Sequence, residues 1–381
     1  MRSIQSAPLQ GQRVLVRVDY NVPLTEDGKV ADPSRIVESI PTLRYLIDRG
    51  CRLVLMSHLG RPKGPEPSLS LRPIVAELER QLGRTVVFAA DSVGPATEEA
   101  AHRLGAGEVL LLENLRFHPE EEANDPAYAA SLARLGELFV EDAFGSVHRA
   151  HASTAGVAKV LPAYAGLLVE REVRELGRLL ETPDRPYAAL LGGAKVKDKL
   201  PLLRSLVGRV DRLLIGGAMA LPLLAPSTVT DAKLRGQVED FLAHAQKGRA
   251  QVILPEDFVL RETATGAIRE AEGANVPEGW AALDVGLRTR AAFARALADS
   301  RTVFFNGPLG KAEEPAFAEG TRAVLTALRS APGFHVLAGG DTARVVRDLG
   351  LSDAFSYSST GGGAALEFIE GRALPGIVAI P

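Results

Sequence analysis

The chain has 381 residues, 46% of them hydrophobic and 24% charged, enough apolar side chain for two domain cores. Its formal net charge of −3 gives no overall attraction to nucleic acid or to a membrane surface, so any anion site must be a local cluster of cations. The single cysteine, Cys51, excludes an intrachain disulfide, and no stretch has the length and apolarity of a signal peptide or a membrane span, so a cytoplasmic protein with neither nucleic-acid nor membrane partners is expected.

In chain order, "RVLVRVD" (13–19) predicts a first strand, with Arg17, Asp19, Tyr20 and Asn21 at its end and Arg35 following in "DPSRI". "RLVLMSH" (52–58) predicts a second strand that runs into "SHLGRP", which holds His58, Leu59, Gly60 and Arg61. In "LRPIVAELERQL" (71–82), Ile74, Val75, Leu78 and Leu82 share one helical face. "TVVFAAD" (85–91), "EVLLLEN" (108–114) and "LFVEDAF" (138–144) predict further strands; Arg116 follows in "ENLRF", and His148, Arg149 and His151 in "DAFGSVHRAHAST". The two histidines have an i, i+3 spacing that could suit zinc on a helix, but no third ligand accompanies them. Residues 167–186 read as a charged helix ended by Pro183 and Pro186, the expected divide between domains.

The second half repeats the pattern with "YAALLGG" (187–193), "RLLIGG" (212–217), "QVILP" (251–255), "TVFFNG" (302–307), "HVLAGG" (335–340) and "FSYSST" (355–360). Continuous apolar strands alternating with helices indicate parallel sheets covered on both faces. The expected fold class is therefore α/β, with two doubly wound, Rossmann-like parallel-sheet domains joined by a helix. Nearly every apolar run ends in polar residues or glycine, and open α/β sheets bind ligands outside the carboxyl ends of their strands.

Taken singly, an arginine after a strand is usually a surface residue. Several of them near strand ends suggest one basic pocket, since a guanidinium fork matches phosphate and carboxylate oxygens. Asp19 and Asn21 could hold a substrate hydroxyl or simply cap a turn. In "LLGGAKVKDK", Lys195 and Lys199 lie i, i+4 at a helix start, where they oppose the macrodipole unless an anion is bound. In "LAGGDTARVV", Asp341 reads either as a cap or as an oxygen ligand for Mg²⁺ beside nucleotide phosphates. The glycines of "STGGGAALE" form either a turn or a phosphate cradle. There is no Walker A loop, dinucleotide fingerprint or kinase catalytic loop, and without the fingerprint a nicotinamide dehydrogenase on a doubly wound sheet is not supported.

"RVDYNVP", "SHLGRP", "LLENLRF", "DAFGSVHRAHAS", "LLGGAKVKDK", "NGPLG", "GGDT" and "STGGGAALE" occur in the order found in phosphoglycerate kinase, and the resemblance covers nearly the whole chain. It implies a monomeric enzyme that moves a phosphoryl group reversibly between 1,3-bisphosphoglycerate and Mg-ADP, giving 3-phosphoglycerate and Mg-ATP. It also implies a phosphoglycerate-binding domain over residues 1–168, a nucleotide-binding domain over 169–370, and a tail, 371–381, that returns to the first. A cleft lies between the two domains in this picture, and hinge closure accompanies transfer. The resemblance places Asp19, Tyr20, Asn21, Arg35, His58, Leu59, Gly60, Arg61, Arg116 and Arg149 at phosphoglycerate. It places Lys199, Glu313, Gly339, Gly340, Asp341 and Thr342 at the nucleotide, with Asp341 toward Mg²⁺, and Arg35, Lys195, Lys199, Gly339 and Gly362 around the moving group. The alternative is a non-catalytic phosphometabolite-binding protein of the same fold. The chain departs from the family's usual pattern at Lys311 and Ala312, where an apolar pair is usual, in "GGAMALPLLA", which lacks aromatic residues, and at Leu287, where proline is usual. These departures bear on nucleotide selectivity.

Overall fold

All of the apolar runs named above form strands in the computed structural model, which describes residues 1–381. The chain divides into two units, Met1–Arg174 with Ala373–Pro381, and Glu175–Arg372, and the boundary falls inside the helix Leu167–Leu180.

In the first unit, β1 (Arg13–Arg17), β2 (Arg52–Met56), β3 (Val86–Phe88), β4 (Val109–Leu111), β5 (Leu138–Glu141) and β6 (Ala163–Ala165) form one sheet in the order β3-β4-β2-β1-β5-β6. Every pairing is parallel. β1 is buried along its whole length, which explains its unbroken apolar run: helices cover both faces, so neither face can be polar. The helix Ile74–Leu82 buries Ile74, Leu78 and Leu82 of the predicted face, leaves Val75 half-buried, and ends at Gly83 in the left-handed conformation. Each such leucine contributes about 1.5–3 kcal/mol by leaving water.

The second unit repeats the plan. β7 (Tyr187–Leu191), β8 (Arg212–Ile215), β9 (Gln251–Ile253), β13 (Thr302–Asn306), β14 (Phe334–Ala338) and β15 (Tyr357–Ser359) pair in parallel in the order β15-β14-β13-β7-β8-β9. Between β9 and β13 the chain adds a three-stranded antiparallel sheet not expected from the sequence: β10 (Asp257–Glu262), β11 (Ile268–Glu272) and β12 (Trp280–Val285), in the order β11-β10-β12.

Both parallel sheets reverse direction of travel beside their first strand. In the first unit the chain moves out from β1 through β2 and then returns to β1's other side as β5; in the second, β7 is flanked by β8 and β13 in the same way. Such reversal points splay the connecting loops apart and leave a crevice at the strand carboxyl ends. Asp19 follows β1, and Gly192 and Gly307 follow β7 and β13, so the topology puts the polar strand ends where crevices form.

The helix Leu167–Leu180 is anchored at its start. Leu167 donates its backbone N–H to Thr42 Oγ1 (3.0 Å) and Leu168 donates to Asp142 Oδ1 (3.0 Å), which satisfies two of its free N-terminal donors. Asp142 is fully buried, and that burial holds its carboxyl well above the usual carboxylate range. The tail Ala373–Pro381 belongs to the first unit; Gly376 donates its N–H to Val147 O at 2.8 Å.

Candidate active site

The first unit gathers its cations around His58. That ring is 6% exposed, and its pKa lies well below 6.5, first because burial disfavours the charged form and then because Arg17, Arg116, Arg149 and Arg35 all stand close by. The guanidinium groups thus come from the end of β1, the helix Ser34–Ile47, the turn Leu115–Phe117 and the loop after β5. Arg35 Nη1 lies 2.9 Å from both oxygens of Asp19, which ties the helix to the strand end. Asn21 Oδ1 accepts the N–H of Gly60 at 2.9 Å, and Arg116 Nη1 donates to Gly60 O at 2.6 Å, so the "SHLGRP" loop is pinned from both sides. Arg149 Nε donates to His148 Nε2 at 3.2 Å.

Not every expected residue faces the crevice. Tyr20 is fully buried; its hydroxyl pairs with Ser39 at 3.0 Å and its N–H donates to Ser57 Oγ, so its ring belongs to the core. Leu59 is 3% exposed. Arg61, by contrast, is exposed. Arg17, counted with the strand-end cations in the sequence, is 1% exposed and spends its donors on Ser153, Val18 O and His58. The sequence reading also missed Asn114. Fully buried, it accepts from Leu59 N–H and Arg116 N–H and donates to the carbonyls of Leu59 and Leu69, so one side chain fixes the backbone at both His58's neighbour and Arg116.

In the second unit, Lys195 is the residue before the helix Val196–Val207 and is exposed, while Lys199, one turn on, is half-buried and hydrogen-bonded to Asn306 Oδ1. Burial lowers the Lys199 ammonium to about 8. Asn306, at the end of β13, was not predicted to matter; its Nδ2 donates to Ala338 O at 2.7 Å and so joins β13 to β14 just where Gly339 begins the next turn. Thr342 Oγ1 accepts the N–H of Gly307 at 3.0 Å, a structural role for a residue expected at the nucleotide. Gly192 has no room for a side chain, since a Cβ there would lie 2.2 Å from Pro308 O.

Gly339 and Gly340 open the helix Gly340–Asp348, and Asp341 stands in its first turn with its side chain 97% exposed. Gly362 precedes the helix Gly363–Ile369 at φ +54°, ψ −120°, a conformation that glycine alone adopts readily. At the loops after β7, β8 and β13 lies a pocket of about 650 Å³ bounded by Gly193, Gly217, Leu221, Trp280, Pro308 and Glu313 among others. Lys311 lines it and pairs with Glu314. Ala312 does not line it, and Leu287 is 66% exposed at the start of the helix Leu287–Leu297. Trp280, which supplies the pocket's one aromatic side chain, comes from the unexpected antiparallel sheet. No group of three or more histidine, cysteine or acidic side chains is set to hold a metal ion.

The profile of the family described as phosphoglycerate kinase matches residues 4–372. The chain belongs to the phosphoglycerate kinase family. It is 52% identical to the phosphoglycerate kinase of Thermus thermophilus, covering 99% of both chains, and 49% identical to that of Moorella thermoacetica, covering 99% of this chain and 98% of the relative. Among solved structures it is similar to phosphoglycerate kinase from Coxiella burnetii, with a TM-score of 0.87, 34% identity and coverage of 99% and 98%. The enzyme from Pyrococcus horikoshii aligns with the same TM-score at 29% identity, covering 100% and 98%. The departures at Lys311, Ala312 and Leu287 are therefore variations within a kinase fold that is otherwise kept from end to end. No helix of this kinase is long and apolar enough to cross a membrane.

Proposed function

We propose that the two crevices divide the reaction between them: the arginine cluster around His58 binds phosphoglycerate, and the loops after β7, β13 and β14 bind the nucleotide. The chain is a phosphotransferase that moves a phosphoryl group reversibly from 1,3-bisphosphoglycerate to ADP, giving 3-phosphoglycerate and ATP. The observation that supports this division best is the convergence of Arg35, Arg116 and Arg149 on one neutral histidine. Three fixed guanidiniums suit a ligand carrying both a phosphate and a carboxylate. Nothing in the chain favours a non-catalytic binding protein, since every cation expected around the transferred group is present.

Phosphoryl transfer asks little covalent chemistry of the protein; it needs in-line positioning and charge on the equatorial oxygens met by fixed donors. We assign Arg35, Lys195, Lys199 and the backbone N–H groups at Gly339 and Gly362 to that task. No general base is required, because in the reverse direction the nucleophile is already a carboxylate. Mg²⁺ enters as part of the nucleotide substrate. The residues fit this: Asp341, at a helix start with its side chain 97% exposed and Arg344 3.9 Å away, offers one carboxylate to a cation that keeps its waters and phosphate ligands. We place the enzyme in a reducing cytoplasm as a monomer; its single cysteine, Cys51, is free and buried.

Asp341→Asn is expected to impair use of Mg-ADP while leaving 3-phosphoglycerate binding intact. Asparagine keeps a capping oxygen but loses the anionic ligand. Titrating activity against Mg²⁺ checks it: the variant needs more Mg²⁺, and an unchanged requirement would reduce Asp341 to a helix cap.

The base is expected to be held by shape more than by hydrogen bonds, because Lys311 and Glu313 are the only charged side chains lining the pocket. A pocket of that kind separates close analogues by no more than about 10²-fold. The ADP/GDP ratio of kcat/KM tests this, and placing Val at 311 and Phe at 312 is expected to raise it. An unchanged ratio would detach those positions from selectivity.

A further inference from the structure

We propose that Arg17 is a positioning residue that holds His58 neutral with its proton on Nε2, so that the ring meets phosphoglycerate as a hydrogen-bond donor and not as a cation. The proposal rests on the assignment of His58 to the phosphoglycerate site.

Arg17 is 1% exposed and cannot touch a ligand itself. Its Nη2 lies 3.0 Å from His58 Nδ1. A guanidinium has donors only, so Nδ1 must accept, and a neutral imidazole that accepts at Nδ1 carries its hydrogen at Nε2. Nε2 makes no hydrogen bond within the protein and is left for a ligand. Protonating the ring would set an N–H against the Arg17 N–H, beside Arg35, Arg116 and Arg149 as well. Asp19, the acidic group at the end of β1, is held by Arg35 and does not offset this.

Arg17 is in turn aimed by a buried polar chain. Its Nε donates to Ser153 Oγ at 2.9 Å, and that hydroxyl donates to Glu121 Oε1 at 2.6 Å. Ser153 N–H donates to the other oxygen of Glu121 at 2.9 Å. Because the serine hydrogen is committed to Glu121, its lone pair faces Arg17, and the chain Glu121–Ser153–Arg17–His58 has a single direction. Glu121 is fully buried and supplies the negative charge that makes a buried arginine tolerable. A histidine at its ordinary pKa in an anion site would change charge across neutral pH and make substrate affinity follow it; this arrangement removes that dependence.

Two-bond ¹H–¹⁵N correlation spectra of the full-length enzyme, with histidine rings labelled and His58 assigned by His58→Gln, test the proposal. The expected spectrum is the Nε2–H form, unchanged from about pH 5.5 to about pH 8, whereas a free ring titrates near about 6.5. An Nδ1–H form, or a titration in that range, would overturn it. Adding 3-phosphoglycerate is expected to shift the Nε2 signal; a correct tautomer with no such shift would instead reject His58 as a substrate contact. In Arg17→Met, with Nδ1 no longer held as an acceptor, the ring is expected to lose its single tautomer and show Nδ1–H beside Nε2–H, and KM for 3-phosphoglycerate is expected to rise; Arg17→Lys, still a donor, is expected to restore the Nε2–H form. If Arg17→Met weakens binding equally at every pH with His58 still Nε2–H, Arg17 is only scaffold and the proposal fails. Should Arg17→Met not fold, the wild-type spectrum decides alone.

Discussion

Arg35→Ala is expected to lower kcat by about 10²–10³-fold, the usual loss when one fixed donor to transition-state charge is removed. The larger part of the effect should fall on kcat and the smaller part on KM for phosphoglycerate, because Arg116 and Arg149 remain to bind the ground state. A second consequence comes from Asp19. Its side chain is 9% exposed and both of its oxygens lie 2.9 Å from Arg35 Nη1, so the variant leaves a carboxylate without its cation beside an anion site. Unpaired, it repels substrate. Arg35→Ala/Asp19→Asn, which drops the charge but keeps a polar side chain for a substrate hydroxyl, should therefore bind phosphoglycerate better than Arg35→Ala alone while recovering none of the lost kcat. Steady-state kinetics on both variants check this, and a near-normal kcat for Arg35→Ala would remove Arg35 from the transfer step.

The second large effect is expected at Lys199. Burial lowers its ammonium from 10.5 to about 8 in the ligand-free enzyme. Anion binding needs the charged form, so kcat/KM for the nucleotide, which reports the free enzyme, should be full below pH 8 and fall as pH rises through it. Lys199→Arg keeps a charge at every pH and should abolish that alkaline limb, at a lower maximum because the longer side chain cannot reproduce the contact with Asn306. Lys199→Met should lose about 10²–10³-fold in kcat. Linkage gives an independent check. Between about pH 8 and pH 10.5 the unfolded chain holds a proton on Lys199 that the folded chain has released, so this group makes stability rise with pH across that window and stay constant below it. Denaturant titrations of wild type and Lys199→Met should differ in slope only there.

The parallel sheets were legible because strands covered on both faces must be apolar throughout, and "RVLVRVD" or "TVFFNG" can hardly be read otherwise. The antiparallel sheet was not, because β11, "IREAE", is largely exposed and charged and carries no apolar run. β6 is only three residues, "AYA", too short to show a period. At the site, the glycines and cations announced themselves by type and place. Their supports did not. Asn114 and Asn306 look like ordinary turn residues, and only the fold shows each bonding two separated loops. Arg17 misled for a physical reason: a sequence tells that an arginine ends a strand but not whether its side chain turns toward the crevice or inward to a serine and a histidine distant in sequence.

The return of residues Ala373–Pro381 to the first unit has a consequence for synthesis. The N–H of Gly376 bonds to Val147 O, two residues before Arg149, so the segment carrying one of the site's cations gains this anchor from residues translated after the second unit. A nascent chain can lay down β1 to β6 early, since domains fold as units from the N-terminus during synthesis. That half nonetheless leaves the ribosome with one seam open, and it is sealed only after the whole second unit has emerged. The first unit begins folding first but cannot finish until the second has emerged, so a chain cut short of Gly376 carries an anion site without this anchor.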